Sequence, residues 1–313
     1  MFARHLFARH LFAAFAAFGL ATLAAAQPAD SLKPGRNKDI IYGKRDGHAL
    51  VMDVVVPKNP NGRGIILCVS GGFESREDYL AAAHLAVAPQ FLKRGYTVFA
   101  VMHSSQPIYT VPDIVDDIHR AVRFIKSRAE DYKVDPEKLG IAGMSSGGHL
   151  SLMMGCAWKE ADPKAGDPIE RYSSKVAAVA CFFPPTDFIE FDKDDITEDQ
   201  KQFRTLFDIR RPDPTTNKLE RITPAERTVI GKLCSPLYCA KDKKDAAPAF
   251  IIHGKRDKLV PVHQSEKLRD EMKCCGAVCK LDIEDIGHNP KEALPFLPRV
   301  VDWFDSQLLE KPK

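Results

Sequence analysis

Five residues, Gly143-Met144-Ser145-Ser146-Gly147, restrict the folds open to this chain more than any other stretch. They read G-x-S-x-G. An apolar run, Leu139-Gly140-Ile141-Ala142, precedes them, and a helix-like run from Ser146 to Cys156 follows. Strand, sharp turn and helix, in that order, are the setting in which this pattern acts as a nucleophile elbow. The glycines two before and two after the serine let the backbone bend tightly and hold Ser145 in a strained conformation. Its hydroxyl then projects above a sheet, at the positive end of the following helix. Alone, G-x-S-x-G recurs by chance in Gly/Ser-rich loops. Its weight here comes from the flanks and from what lies downstream.

A serine hydroxyl is a weak nucleophile at neutral pH and needs a base within hydrogen-bond reach, oriented by a third group. In a sheet of this kind the chain order is Ser, then Asp or Glu, then His. Asp257 follows the strand-like run Ala249 to His253, and His288 follows Leu281 to Ile286. Both loops should open on the same sheet edge as Ser145. His288 is expected to take the Ser145 proton and return it to the leaving group, with Asp257 fixing the tautomer. Asp187 also follows a strand and is the chief rival of Asp257, whose loop position is the better match. His103, His149 and His253 are expected to be structural. For the oxyanion, the expected donors are the backbone amides of Gly71, Gly72 and Ser146, with the Ser70 side chain dispensable.

Along the chain, short apolar strands alternate with helices, which implies a mainly parallel sheet covered on both faces. The expected strands are Asp39 to Tyr42, Ala49 to Val56, Gly64 to Val69, Tyr96 to Met102, Lys138 to Ala142, Ala177 to Phe183, Ala249 to His253 and Leu281 to Ile286. The first two are joined by a turn at Arg45-Asp46-Gly47 and form an antiparallel edge. Helices are expected over Asp78 to Lys93, Pro112 to Tyr132, Gln264 to Lys273 and Leu297 to Leu309. In the second, Ile114, Ile118, Val122 and Ile125 recur at three- and four-residue spacing. Two segments break the rhythm. Trp158 to Ser174 is polar and reads equally as site cover or decoration. Thr186 to Lys232 is charged, holds a helical piece at Gln202 to Phe207, and is expected to form a partial lid.

The chain resembles an α/β-hydrolase, of the branch holding secreted carboxylesterases and acetyl or feruloyl esterases that act on plant polysaccharide. The matching motifs are Ser70-Gly71-Gly72-Phe73, Gly143 to Leu150, His253-Gly254 through Asp257 to Val260-Pro261, and Gly287-His288. The resemblance extends from about Asp39 to Leu309. It implies the α/β-hydrolase fold, a serine esterase using Ser145, Asp257 and His288, no metal, and no cofactor. It does not choose a substrate, which stays open between a small ester and a polysaccharide ester. Relatives often carry His-Gly-Gly-Gly in the oxyanion loop, and here the run is Val69-Ser70-Gly71-Gly72. A serine peptidase of the related fold, or a hydrolase-like binding protein, are the alternatives.

The 313 residues, 44% hydrophobic and 28% charged, can supply one large core. No basic block accompanies the net charge of +3, which argues against nucleic acid as a partner. Residues 1–26 read as a signal peptide. Arg4 and Arg9 precede an apolar run from Leu11, which ends Ala24-Ala25-Ala26 before Gln27. Residues 27–313 are then the hydrolase domain, exported to a periplasm or the outside and with no membrane partner after cleavage. Export permits disulfides. Of eight cysteines, Cys68 and Cys181 are expected as buried thiols, and Cys234, Cys239, Cys274, Cys275 and Cys279 as disulfide candidates. Their spacing fits no usual zinc pattern.

Overall fold

An Asp-Gly dipeptide sets the first edge of the sheet. Asp46 and Gly47 both take positive φ, 47° and 82°, the backbone twist that a two-residue hairpin loop requires. They join strand β1 (Gly35–Arg45) to β2 (His48–Val56) in an antiparallel pair, so the two expected edge strands are one longer hairpin. The computed structural model describes residues 32–192, 209–213, 215–216, 218–241 and 243–309.

The eight-stranded sheet continues with β3 (Gly64–Cys68), β4 (Thr97–Val101), β5 (Leu139–Met144) and β6 (Ala178–Phe182). A small hairpin, β7 (Arg210–Pro212) with β8 (Leu219–Arg221), stands apart from it. Strands β9 (Ala249–Gly254) and β10 (Cys279–Glu284) complete the main sheet. The strand order is β1-β2-β4-β3-β5-β6-β9-β10. Only β1/β2 and β2/β4 run antiparallel; the other five pairings are parallel. All residues of β3, β4, β6 and β9 are buried, which is why they read as continuous apolar runs rather than alternating ones.

Side chains of a strand alternate between faces, and two cores follow. On one face Ile66, Phe99, Ile141 and Cys181 pack under α3 (Val111–Ser127) and α5 (Ser146–Cys156). On the other, Ile65, Val98, Ala180 and Phe250 pack under a segment near residues 77–92 and the C-terminal helix. That segment, expected as one helix, is three pieces. It runs α1 (Glu77–Ala82), a π-helical turn (Ala83–Val87) and α2 (Ala88–Leu92). Pro89 has no N–H to donate to Leu85, and the Ala88 amide reaches back to the Ala83 carbonyl, one residue further than in an α-helix. Likewise α3 breaks at Arg128 before α4 (Ala129–Tyr132).

The remaining helices are α6 (Pro224–Leu233), α7 (Pro236–Cys239), α8 (His263–Cys274), α9 (Pro290–Ala293) and α10 (Leu297–Leu308). Residues 158–174 pack on α3 through Arg120–Asp167 (2.6 Å) and Arg123–Glu170. Of 186–232, residues 193–208, 214 and 217 lie outside the described residues, and so does the helix expected at Gln202 to Phe207. All eight cysteines are free, so the disulfides expected among the five C-terminal ones are not formed. Cys234 and Cys279 are instead buried in the core beneath α5, while Cys274 is exposed.

Candidate active site

Strand β5 runs straight into α5 with only Ser145 between them. Ser145 takes φ 52° and ψ −121°, a conformation that costs a non-glycine residue about 1–3 kcal/mol. The turn is held by the Ser145 amide donating to the Phe182 carbonyl (3.0 Å) and the His149 amide donating to the Ser145 carbonyl (2.9 Å). The glycines are there for space. A Cβ on Gly143 would sit 2.3 Å from the Gly147 backbone, and one on Gly147 2.7 Å from the Cys68 carbonyl oxygen.

Three loops at the carboxyl ends of β5, β9 and β10 bring Ser145, Asp257 and His288 together. His288 Nε2 lies 2.8 Å from Ser145 Oγ. Its Nδ1 lies 2.7 Å from Asp257 Oδ2. The other carboxylate oxygen of Asp257 accepts from the amides of Leu259 (3.0 Å) and Val260 (2.8 Å). Burial raises the pKa of Asp257, and hydrogen bonds from His253 and His288 outweigh it, so the carboxyl stays below its ordinary value. With Asp257 anionic, the proton between it and His288 belongs on Nδ1. That leaves Nε2 as an acceptor facing the serine hydroxyl. The His288 ring packs on Phe183 at 4.5 Å between centroids. Glu292 accepts from the Gly287 amide (2.9 Å) and so fixes the loop before it.

The rival groups are elsewhere. The Asp187 carboxylate accepts from the Ile189 amide (3.0 Å) and weakly from Glu190 (3.3 Å), capping its own turn. His103 is buried and bonds the Ser104 carbonyl. His149 is fully buried, with Nε2 donating to the Cys234 carbonyl (2.6 Å). His253 does more than the sequence suggested. It donates from Nε2 to the Val260 carbonyl (2.8 Å), pairs with the Ser265 hydroxyl (2.7 Å), and lies 3.4 Å from Asp257. It thereby ties down the loop that carries the carboxylate.

The oxyanion loop requires a correction. The Gly71 amide donates to the Glu74 carbonyl (2.9 Å), and the Glu74 amide returns the bond (3.0 Å). A donor already committed in this tight bridge is not free for substrate, so Gly71 is not an oxyanion donor. Gly72 takes φ 59°, and among the described residues its amide has no backbone partner. Ser146 is the first residue of α5, where amides have no intrahelical acceptor. The hydroxyls of Ser70 and Ser146 are hydrogen-bonded at 2.9 Å. Among the described residues no group of His, Cys, Asp and Glu is placed as a metal site would need. No described helix is long and apolar enough to cross a membrane.

Comparisons with known proteins bear on the family and the fold. The BD-FAE family model matches residues 52–272. A probable carboxylic ester hydrolase, LipM of Mycobacterium tuberculosis, is 26% identical over 238 residues, which are 75% of this chain and 51% of LipM. An acetylxylan esterase of Xylanibacter ruminicola is 30% identical over 141 residues, 44% of this chain and 27% of the relative. This chain thus spans about half or less of the length of these relatives. A truncated carbohydrate esterase from gut microbiota superposes with a TM-score of 0.71 at 25% identity, over 90% of this chain and 99% of that one. Esterase 2 of Thermogutta terrifontis, phosphonylated by sarin, shares the fold with a TM-score of 0.68 at 23% identity, over 89% and 98%.

Proposed function

The chain belongs to the BD-FAE family and has the α/β-hydrolase fold, and from that premise we propose that it is a serine hydrolase cleaving a carboxylic ester through an acyl-enzyme. The observation that carries this reading is the unbroken hydrogen-bonded line Asp257–His288–Ser145. Ser145 Oγ attacks the ester carbonyl carbon while His288 Nε2 takes its proton. The negative charge that forms on the carbonyl oxygen is met by the backbone amides of Ser146 and Gly72, aided by the positive end of α5. As the C–O bond to the alcohol breaks, His288 returns the proton to the departing oxygen. Water, deprotonated by His288, then attacks the acyl-serine; as the bond to Ser145 breaks, His288 passes that proton to Oγ and the acid is freed. Asp257 keeps the imidazole in one tautomer and stabilises its cation throughout.

For the alcohol, a sugar hydroxyl of acylated plant polysaccharide or a small alcohol fits best. The kinship with an acetylxylan esterase and a carbohydrate esterase supports this. Export, with cleavage before Gln27, belongs to the same proposal; N-terminal sequencing of secreted protein tests it.

A fluorophosphonate probe on the full chain tests the chemistry. The expected result is one adduct on Ser145, loss of p-nitrophenyl ester hydrolysis, and no adduct on Ser145→Ala. Ester hydrolysis surviving in Ser145→Ala overturns the assignment. Cleavage of amide substrates as fast as esters would make it a peptidase instead.

A further inference from the structure

The cleft that holds Ser145 and His288 has a volume of about 850 Å³, far more than the reacting groups themselves need. Its charged lining groups, Glu74 and Lys291, are exposed and lie in the segments after β3 and β10. Away from them the walls are apolar. Strands β5 and β6 back it with Ala142 and Ala180, both buried in the core. The facing wall is the π-helical turn, which supplies Ala83, Ala86 and Val87. Phe91, Leu297 and Val300, each at most 3% exposed, back the lining from the core. The turn is anchored from behind. His84 Nε2 lies 2.9 Å from the buried carboxylate of Asp53 on β2, which also accepts from Arg36 at 2.6 Å. Protein interiors are otherwise close-packed. A cleft of this size, lined largely by apolar side chains and open at the nucleophile, is a binding space.

We propose that this cavity receives the acyl half of the ester, and that the substrate class is esters of unbranched aliphatic acids longer than acetyl. This rests on Ser145 being the nucleophile. The two halves of an ester have opposite needs here. The alcohol must leave past His288 Nε2 into solvent, and the exposed Glu74 and Lys291 suit a polar leaving group. A sugar pushed into the apolar end would strand its hydroxyls without partners, at a cost no wall residue there can offset. A hydroxylated aromatic acid meets the same difficulty beside Phe91, Leu297 and Val300. An alkyl chain meets none. Each methylene it buries is worth up to about a fourfold gain in kcat/KM, the equivalent of about 0.8 kcal/mol. An acetyl group leaves nearly all of the cavity empty.

A p-nitrophenyl ester series from acetate to decanoate, on the full chain, tests this. The ratio of kcat/KM for octanoate to that for acetate should exceed ten in the native protein. Ala83→Phe and Ala86→Leu, which extend side chains from the partly exposed π-helical turn into the cavity, should each lower that ratio at least tenfold. Octanoic acid should slow fluorophosphonate labelling of the native protein at concentrations where acetate does not. That measurement stands even if one variant fails to fold. Hydrolysis of acetate with rates that fall steadily along the series, and no protection by octanoic acid, would overturn the acyl assignment while leaving the esterase reading intact. No hydrolysis of any ester would instead strike at the esterase reading itself.

Discussion

The Ser70 hydroxyl sits 2.9 Å from the Ser146 hydroxyl, joining the loop after β3 to the first turn of α5 at the point where an oxyanion would be held. Ser146 is fully buried. Removing its partner leaves a buried hydroxyl unpaired, worth about 1–3 kcal/mol. Ser70→Ala should therefore lower the melting temperature by a few degrees. It should reduce kcat by less than about tenfold, because the backbone donors remain. Thermal melts with steady-state kinetics check both. A loss beyond a hundredfold in kcat with an unchanged melt would mean that the hydroxyl itself contacts substrate, and the loop's role would have to be redrawn.

The acid of the line can be separated from its rival. Ser145→Ala and His288→Ala should each cost on the order of 10⁶ in kcat, and Asp257→Ala on the order of 10⁴. Asp187→Ala should stay within several-fold, since that carboxylate serves the amides of Ile189 and Glu190. An inactive Asp187→Ala beside an active Asp257→Ala would show the acid to be misassigned.

Acid should destabilise the fold earlier than carboxylate titration alone requires. Burial pushes His103 and His149 down to about 4 and His119 to about 3. His103 Nε2 and His149 Nδ1 are buried with no acceptor to receive a second proton. These groups stay neutral in the folded chain but protonate near pH 6.5 once unfolded. As pH falls below about 6.5 the unfolded state binds the extra protons, so stability falls with it, by up to about 4 kcal/mol per pH unit if all three contribute fully. Above pH 7 they contribute no slope. Urea midpoints between pH 8 and 4.5 read this directly; a flat profile from 6.5 to 5 would contradict it.

Much of this was legible in the chain because the signals are local. The elbow announces itself through Gly143 and Gly147, whose spacing is set by a backbone contact only a few residues long. Helix α3 shows its buried stripe as Ile114, Ile118, Val122 and Ile125. The loops carrying Asp257 and His288 could be placed because a parallel sheet puts all such loops on one edge. What was missed depends on contacts between distant segments. Nothing near Gly71 signals that its amide is spent on Glu74. The work of His253 on the Asp257 loop needs α8 to deliver Ser265 to its other nitrogen. The π turn had a local clue in Pro89, but its place beside Ser145 in the cleft depends on contacts between distant segments. The cysteines misled for a similar reason. Cys234 and Cys279 are core thiols, a matter of placement rather than spacing, and none of the five is bonded to another.

The two glycines of the oxyanion loop should now behave differently, which tests the corrected donor set. At Gly72 a Cβ meets no atom within 4 Å, so substitution strains only the backbone, at φ 59°. Gly72→Val should fold, and by shifting the amide it should cost on the order of a hundredfold in kcat. At Gly71 a Cβ would come 2.8 Å from the Tyr79 ring, whose edge must swing aside, but the amide is already committed to Glu74. Gly71→Ala should thus act through the shape of the cleft mouth, raising KM more than it lowers kcat. Binding of a phosphonate transition-state analogue separates the two cases: Gly72→Val should weaken it in proportion to the loss in kcat/KM, because the lost bond forms only in the transition state. If Gly71→Ala instead lost kcat a hundredfold with KM unchanged while Gly72→Val did not, the Gly71–Glu74 bridge would have to open during turnover, and Gly71 would return as the donor.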